Sequence, residues 1–213
     1  MQEFERLLPR PDRDEIPESE RAGFDAVVER TQRLAYERYG TPAQYFDALL
    51  NSPPLAAALV RLGTLVRQGQ VRGTYSDAHR ELIDIVYSKD YGYNSFLTVH
   101  LPDAFAVGVR PAAIEAIWSG REEELTEDEA MIVAYCRQVA RGEVTDEAFA
   151  ALSQRFGKRW VVEYTMCCAF IFMTLRLWQA LGVPDPSDAD VAQLLRELLD
   201  GSADVPDPMA RIG

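Results

Sequence analysis

The amino-acid sequence predicts an all-α fold, a compact multi-helix bundle in a single domain. Apolar residues recur every three or four positions along most of the chain, and no segment of useful length alternates apolar and polar residues as a strand would. Capping signals recur as well, since Thr126-Glu127-Asp128-Glu129 has the pattern of a capping box. With 213 residues, 47% of them hydrophobic, the chain can bury one substantial core. We expect an extended N-terminal arm over residues 1–18, one domain over 19–200 and a flexible tail over 201–213.

The first third of the chain is predicted to form this arm and three helices. Three prolines interrupt the arm, which could pack on a neighbouring subunit. Ser19 can cap a helix that continues to Tyr39, where Gly40-Thr41-Pro42 breaks it. A short helix follows over residues 42–50. Ser52-Pro53 then opens a third helix that ends near residue 68.

The rest of the chain is predicted to form seven helices between glycine and proline signals. Residues 69–73 form a loop before the first of them. The predicted ranges are 76–88, 91–106, 111–119, 126–141, 145–156, 158–181 and 188–199. Glycines at positions 108, 120, 142 and 182 stop four of these helices, as glycine does when it follows a helix end.

The segment from Tyr164 to Leu175 contains no charged residue. Twelve helical residues rise only about 18 Å, too short for a bilayer, which needs ~20 apolar residues. A helix that is apolar on all sides is buried on all sides. We therefore expect this helix to be the central core helix, an oligomer interface, or both, and we expect no membrane partner.

The charge balance excludes further partners. Lys and Arg number 22 against 34 Asp and Glu, a formal net charge of −12 at pH 7. Nucleic acid and anionic membrane surfaces require clustered basic residues, so neither is expected to bind. The chain does not open on an apolar segment flanked by basic residues, so no targeting peptide is expected.

The cysteine and histidine residues offer little metal or thiol chemistry. Cys136, Cys167 and Cys168 have no disulfide-framework spacing, which indicates reduced, buried thiols and a cytoplasmic location. Vicinal thiols in an apolar helix are poor nucleophiles, so redox catalysis at Cys167-Cys168 is disfavoured. Neither His79 nor His100 has a Cys or His at ligand spacing, so no metal is expected. His79 is expected to face solvent.

The most informative residues for chemistry lie on the two helices predicted around residues 76–106. Tyr93, Phe96 and His100 share one helix face by their spacing. Because a tight turn makes the two helices antiparallel, Glu81 on the first should lie beside His100 on the second. A carboxylate next to an imidazole fixes its tautomer and raises its pKa, as a general acid or base requires. The same residues could equally form a structural ion pair with a hydrogen-bonded core histidine.

This pattern resembles the carboxymuconolactone decarboxylase and alkylhydroperoxidase D-like superfamily. The resemblance covers about residues 45–182 and rests on Arg80-Glu81, His100, the segment from Ala104 to Ile114, and the capped helix that begins at Thr126. In the peroxidase branch a Glu lies 19 positions before the motif His, as Glu81 does here.

The chain departs from the peroxidase branch at its thiols. That branch has a Cys-x-x-Cys seven and four positions before the His, where this chain has Tyr93 and Phe96, and its relay His is replaced by Ser95. A thiol peroxidase cannot use these residues, since neither forms a thiolate. The resemblance still implies an all-α subunit in homotrimers or homohexamers. More weakly, it implies a decarboxylase-like activity without metal or cofactor.

The resemblance and the spacing together suggest a set of site residues. A cofactor-free decarboxylase must stabilise an enolate and deliver a proton to carbon. His100 would be the acid, Glu81 its orienting group and Tyr93 a donor to the oxyanion, while Arg80 could pair with a substrate carboxylate. The remaining candidates for substrate binding are Asp84, Tyr87, Asn94, Ser95 and Phe96.

Two functions remain open. The first is an acid/base enzyme acting on a small compound, such as a carboxylated or lactone substrate. The second is a non-catalytic member of the superfamily, an oligomeric scaffold that could bind a small molecule. The absence of both motif cysteines favours the scaffold, and the presence of Glu81 and His100 favours the enzyme.

Overall fold

A computed structural model describes residues 6–33, 41–67 and 74–205. These residues form ten α-helices and no strand, which confirms the all-α prediction. The helices are α1 (Arg21–Arg33), α2 (Thr41–Leu49), α3 (Pro53–Arg67), α4 (Asp77–Asp90), α5 (Asn94–Ala106), α6 (Pro111–Ser119), α7 (Glu127–Arg141), α8 (Asp146–Phe156), α9 (Lys158–Leu181) and α10 (Asp188–Leu199). The predicted end of the first helix at Tyr39, the loop at 69–73 and the last part of the tail lie outside the described residues.

Capping side chains define several helix starts as the sequence predicts. The Thr126 hydroxyl accepts the Glu129 N–H while the Glu129 carboxylate accepts the Thr126 N–H, so the predicted capping box is present on α7. Ser187 and Asp190 form a second capping box on α10. Gly182 ends α9 at a φ of 73°, a conformation that glycine adopts without strain. Local polar chemistry therefore determines where these helices begin and end.

Helix α4 lies at the centre of the bundle. Every residue from Glu81 to Ser88 is buried, and α4 packs on α5, α6, α7 and α9. A helix buried on all sides for two turns requires neighbours on every face. The structure therefore places charged residues of α4, not only apolar ones, in the interior.

Helix α9, expected to be a core helix, an oligomer interface or both, is buried in part within the subunit. Trp160, Tyr164, Cys167 and Cys168 face the core, and a separate face of the helix is open to solvent. Among the described residues, α9 is the one helix that is long and apolar enough to cross a membrane. Of its most apolar 18-residue stretch, 44% is buried inside the protein. Core helices of soluble proteins have the same character, so this criterion is weak evidence for a membrane span.

The N-terminal arm packs on its own subunit. Ile16 is buried with Phe24 and Val27, Arg10 pairs with Asp47 at 2.6 Å, and the arm contains two short 3₁₀ turns. The predicted arm therefore contains 3₁₀ turns and packs on its own subunit within residues 6–18, while its packing on a neighbouring subunit stays a prediction. Apolar Ile16 finds a place between α1 and α3, which the proline count does not reveal.

Candidate active site: a charged cluster on α3, α4 and α5

Six ionisable side chains meet where the end of α3 lies beside α4 and α5. Helix α3 contributes its last residue, Arg67, and α4 and α5 contribute pairs with helical spacing. Residues three apart on a helix share a face, so α4 presents Glu81 with Asp84 and α5 presents His100 with Asp103. The sixth member of the cluster is Arg80, next to Glu81 on α4.

Glu81 and His100 come together as predicted. The carboxylate Oε2 of Glu81 lies 3.2 Å from Nδ1 of His100, and its Oε1 lies 2.5 Å from Nη1 of Arg80. Burial alone would raise the pKa of Glu81, but the charges of Arg80, His100 and Arg67 outweigh it and lower the pKa to about 2. Glu81 therefore remains a carboxylate at neutral pH although it is completely buried.

Arg67 holds Asp84 and touches His100. Its Nη1 and Nη2 donate to the two oxygens of Asp84 at 3.1 and 2.9 Å, the fork geometry of a strong ion pair. Nη2 also lies 3.0 Å from Nδ1 and 3.2 Å from Nε2 of His100. The Nε2 atom of His100 is 3.7 Å from Asp84 Oδ1. Two carboxylates and the guanidinium group of Arg67 therefore lie against one imidazole.

Asp103 is the third carboxyl group of the cluster. Burial and the charge of Glu81 raise the pKa of Asp103 to about 7, against the opposing effects of His100 and Arg80. A carboxyl group with such a pKa changes its charge near neutral pH. The protonation of Asp103 therefore controls the net charge of the cluster.

The cluster reaches solvent at its cations. The side chains of Arg67, Arg80 and His100 are 17%, 12% and 12% exposed, whereas those of Glu81 and Asp84 are sealed. Within the described residues, both oxygens of Glu81 and the Nε of Arg80 lack a partner in hydrogen-bond geometry, although both groups are in ion-pair contact. Buried polar atoms are rarely unsatisfied, and those that are tend to mark sites that bind or react.

The side chains of Glu81, Asp84 and His100 could be ligands for a metal ion, since one atom of each lies within 4.8 Å of the others. The two guanidinium groups oppose this use. Arg67 occupies both oxygens of Asp84, and Arg80 contacts Glu81. A divalent cation would have to displace both guanidinium groups and would be repelled by their positive charge. The residues therefore fit an ion-pair network better than a metal centre.

Tyr93 does not join the cluster, contrary to its predicted role as an oxyanion donor. Helix α5 begins at Asn94, and Tyr93 before it has an extended backbone with φ −131° and ψ 93°. The helical spacing that placed Tyr93 on one face with His100 therefore does not apply. Its hydroxyl donates to the carbonyl of Val183 at 2.7 Å, in the loop between α9 and α10.

Asn94 and Ser95, predicted to bind substrate, fasten the start of α5 to the same loop. The Asn94 amide donates to the carbonyl of Pro186 and to Asp188, and the Ser95 N–H donates to Asp185 at 2.6 Å. The two Asn94 contacts come from its side-chain amide, and the Ser95 contact satisfies a backbone donor at the helix start. Both residues anchor a helix rather than line the cluster.

The remaining predicted residues divide between the core and the cluster. Tyr87 is completely buried and donates to the carbonyl of Cys136, so it lies in the core, and its part in substrate binding stays a prediction. Phe96 lies against the His100 ring, with centroids 4.9 Å apart, and also contacts Trp178. His79, expected in solvent, is half-buried against Phe156 and Trp160, and this burial lowers its pKa.

Sequence reasoning missed two members of the cluster, Asp103 and Arg67. Helical spacing from His100 could have indicated Asp103, but nothing local indicates Arg67. It lies 17 positions before Asp84 and 33 before His100, so no local spacing connects them. Its position at the end of an apolar helix is usual for a basic residue.

Comparisons of the chain with models of protein families, with curated proteins and with solved structures give no match.

Proposed function

We propose that this protein is a cofactor-free enzyme that performs acid/base chemistry on a small compound, such as a carboxylated or lactone substrate. The observation that supports this proposal most directly is the contact of 3.2 Å between the buried Glu81 carboxylate and His100, whose side chain is 12% exposed. In the same proposal the protein is cytoplasmic and homo-oligomeric, and it belongs to the carboxymuconolactone decarboxylase-like superfamily without that group's thiol peroxidase activity.

In this proposal His100 carries the proton. The Glu81 carboxylate, 3.2 Å from Nδ1, favours a proton on that nitrogen by its negative charge. The other nitrogen, Nε2, would then accept and return the proton in the reaction. In a decarboxylation, the carbon–carbon bond to the carboxylate breaks, carbon dioxide leaves and the electron pair forms an enolate. The protonated Nε2 then gives its proton to the enolate carbon. Glu81 keeps its charge and stabilises the imidazolium, because its pKa is about 2.

The arginines supply the local attraction that an anionic substrate needs. A protein with a net charge of −12 repels small acids at long range. Arg67 and Arg80 are partly exposed at the cluster, and Arg67 already touches the imidazole. Arg67 would therefore face the oxygen on which the enolate charge develops, a role earlier assigned to Tyr93.

A non-catalytic scaffold is the competing function, and one observation favours it. Asp84 is sealed and both its oxygens are bound by Arg67, as in a purely structural ion pair. In that case the cluster would only fix α3 against α4 and α5. Substitutions would then change stability without changing any turnover.

Proton transfer to carbon provides an assay that does not require the substrate to be known in advance. A panel of lactones and β-keto acids is incubated with the protein in D₂O, and deuterium incorporation and loss of carbon dioxide are followed by NMR. For a compound that turns over, His100→Asn should reduce kcat about 10²–10⁴-fold, the usual contribution of a general acid. Glu81→Gln should also reduce kcat, because the imidazole loses the group that orients it.

His79→Gln is the matched control, since it changes the other histidine and lies outside the cluster. It should keep wild-type turnover, with folding of all variants checked by circular dichroism. Full activity of His100→Asn on the same compound would remove His100 from the mechanism. No exchange or decarboxylation across the panel, together with a stability loss in both cluster variants, would favour the scaffold.

A further inference from the structure

Helix α9 carries a stripe of solvent-exposed apolar side chains on the face that does not meet the core. Val162 is 61% exposed, Met166 53% and Met173 40%, and Ala169 and Ala180 are exposed between and beyond them. Large apolar side chains on one continuous face are unusual at the surface of a protein that acts alone. We call these five residues the α9 stripe.

The spacing of the α9 stripe is that of a helix–helix seam. Its members lie at positions 162, 166, 169, 173 and 180, and exposed Arg176 occupies the remaining place in the repeat. Steps alternating between four and three residues keep a stripe facing one partner helix along its length. From Val162 to Ala180 the stripe extends about 27 Å, the length of a complete helix contact.

We propose that the α9 stripe is the contact surface for a second copy of this chain, whose α9 lies antiparallel across it on a twofold axis near Ala169. A twofold contact uses the same surface on both subunits, so a stripe whose two ends can face each other meets its requirement. Ala169 is small and central, which allows the two helices to approach closely, and the flanking methionines adapt to the opposing surface.

The charges beside the stripe favour the antiparallel direction. Glu163 and Arg176 lie on opposite sides of Ala169, about 9 and 11 Å away along the helix. The Glu163 side chain is 18% exposed and pairs with Arg159 of the same helix. A twofold axis at Ala169 therefore places exposed Arg176 of each copy towards this neutralised pair of the other. A parallel pairing would instead place the two Arg176 side chains, and the two Arg159 side chains, next to each other.

The α9 stripe is an uncharged surface on an otherwise acidic protein, which suits contact with an identical copy. The Glu163 carboxylate is bound by Arg159 at 2.7 Å and by the hydroxyl of Thr74, and the stripe itself contains no acidic residue. Two copies with a net charge of −12 repel each other in most orientations. Contact through the α9 stripe avoids opposing acidic groups, which favours this face for the approach of a second copy.

Sedimentation velocity of the full chain tests the proposal. The wild type should sediment as a dimer, or as an even-numbered assembly if another surface also associates. Met166→Glu should raise the dimer dissociation constant at least about tenfold, since it buries a charge in the seam. Leu55→Glu is the matched control, because Leu55 is 71% exposed on α3, outside the stripe, and this variant should sediment as the wild type does.

Cysteine cross-linking determines the direction of the pairing. Ala169→Cys should form a covalent dimer with an oxidant or a short bis-maleimide, because the axis passes beside it. Val162→Cys should not, since two antiparallel copies would hold these positions about 21 Å apart along the axis. The wild type provides the background, because its three cysteines are buried.

Several results would overturn the proposal. One is a wild type that is monomeric at every accessible concentration, and another is a Met166→Glu variant that associates as the wild type does. Cross-linking at position 162 would overturn the antiparallel arrangement, and so would its absence at position 169. Flotation of the wild type with neutral phospholipid vesicles would assign the stripe to lipid instead. None of these readouts depends on turnover, so the proposed enzyme activity can fail independently.

Discussion

Replacing Arg67 by Met should destabilise the protein strongly, because it leaves a sealed carboxylate without its partner. The side chain of Asp84 has no exposed surface, and Arg67 donates to both of its oxygens at 3.1 and 2.9 Å. Removing one member of a buried ion pair costs about 3–5 kcal/mol. Because the Arg67 side chain is itself 17% exposed, water can replace part of its contact with Asp84, so we expect a value near the lower end of this range.

The assay is urea unfolding followed by circular dichroism at pH 7 and one fixed protein concentration, since association also contributes to stability. The double variant Arg67→Met/Asp84→Leu should recover most of the loss, because both charges then leave the interior. Arg155→Met is the matched control. Arg155 makes the same fork on Asp128, with both contacts at 2.7 Å, but on the surface, where ion pairs contribute little.

The reasoning is refuted if Arg67→Met unfolds at the same urea concentration as Arg155→Met. It is also refuted if the double variant is no more stable than Arg67→Met alone. Either result would mean that Asp84 does not depend on Arg67 for its burial. The cluster would then be loosely held, and its geometry could not support the roles proposed for it.

Two further predictions concern titratable groups. Two effects raise the pKa of Asp103 from 3.8 to about 7: the larger is burial, and the smaller is the charge of Glu81. The unfolded chain therefore loses this proton near pH 4 and the folded chain near pH 7, so the free energy of unfolding should fall between these pH values by up to about 1.4 kcal/mol per unit. Asp103→Asn should flatten that slope in urea unfolding from pH 4 to pH 8, and an unchanged slope would contradict the assignment. Burial also raises the pKa of Cys167 to about 12. Iodoacetamide at pH 8 should therefore leave all three cysteines of the folded protein unlabelled by mass spectrometry while labelling them in urea, and rapid labelling of the folded protein would contradict their burial.

The helices could be predicted because residues close in sequence determine where each helix begins and ends. Thr126 and Ser187 cap helices with residues three positions away, and Gly182 ends α9 through its own backbone conformation. The contact between Glu81 and His100 could be predicted as well, since one turn between α4 and α5 makes the two helices antiparallel. Each of these inferences needs only neighbouring residues.

The inferences that failed needed information from distant parts of the chain. Arg67 reaches the cluster because α3 packs beside it, and no spacing in the sequence encodes that contact. Tyr93 lies one position before α5, so its side chain leaves the helix face that its spacing predicts. Ile16 finds an apolar site between helices that proline content does not show. Tertiary packing decided all three.

The anchor at the start of α5 has a consequence for synthesis of the chain. Tyr93 and Ser95 bind Val183 and Asp185, partners that lie 90 residues later. At 5–20 residues per second, a ribosome requires about 5–18 s to add those residues after Tyr93 has been joined. During that interval α4 and α5 can form a hairpin, but α5 lacks the loop that holds its first turn. The first turn of α5, the helix that carries His100, can therefore be fixed in place only after residues 183–185 have been added.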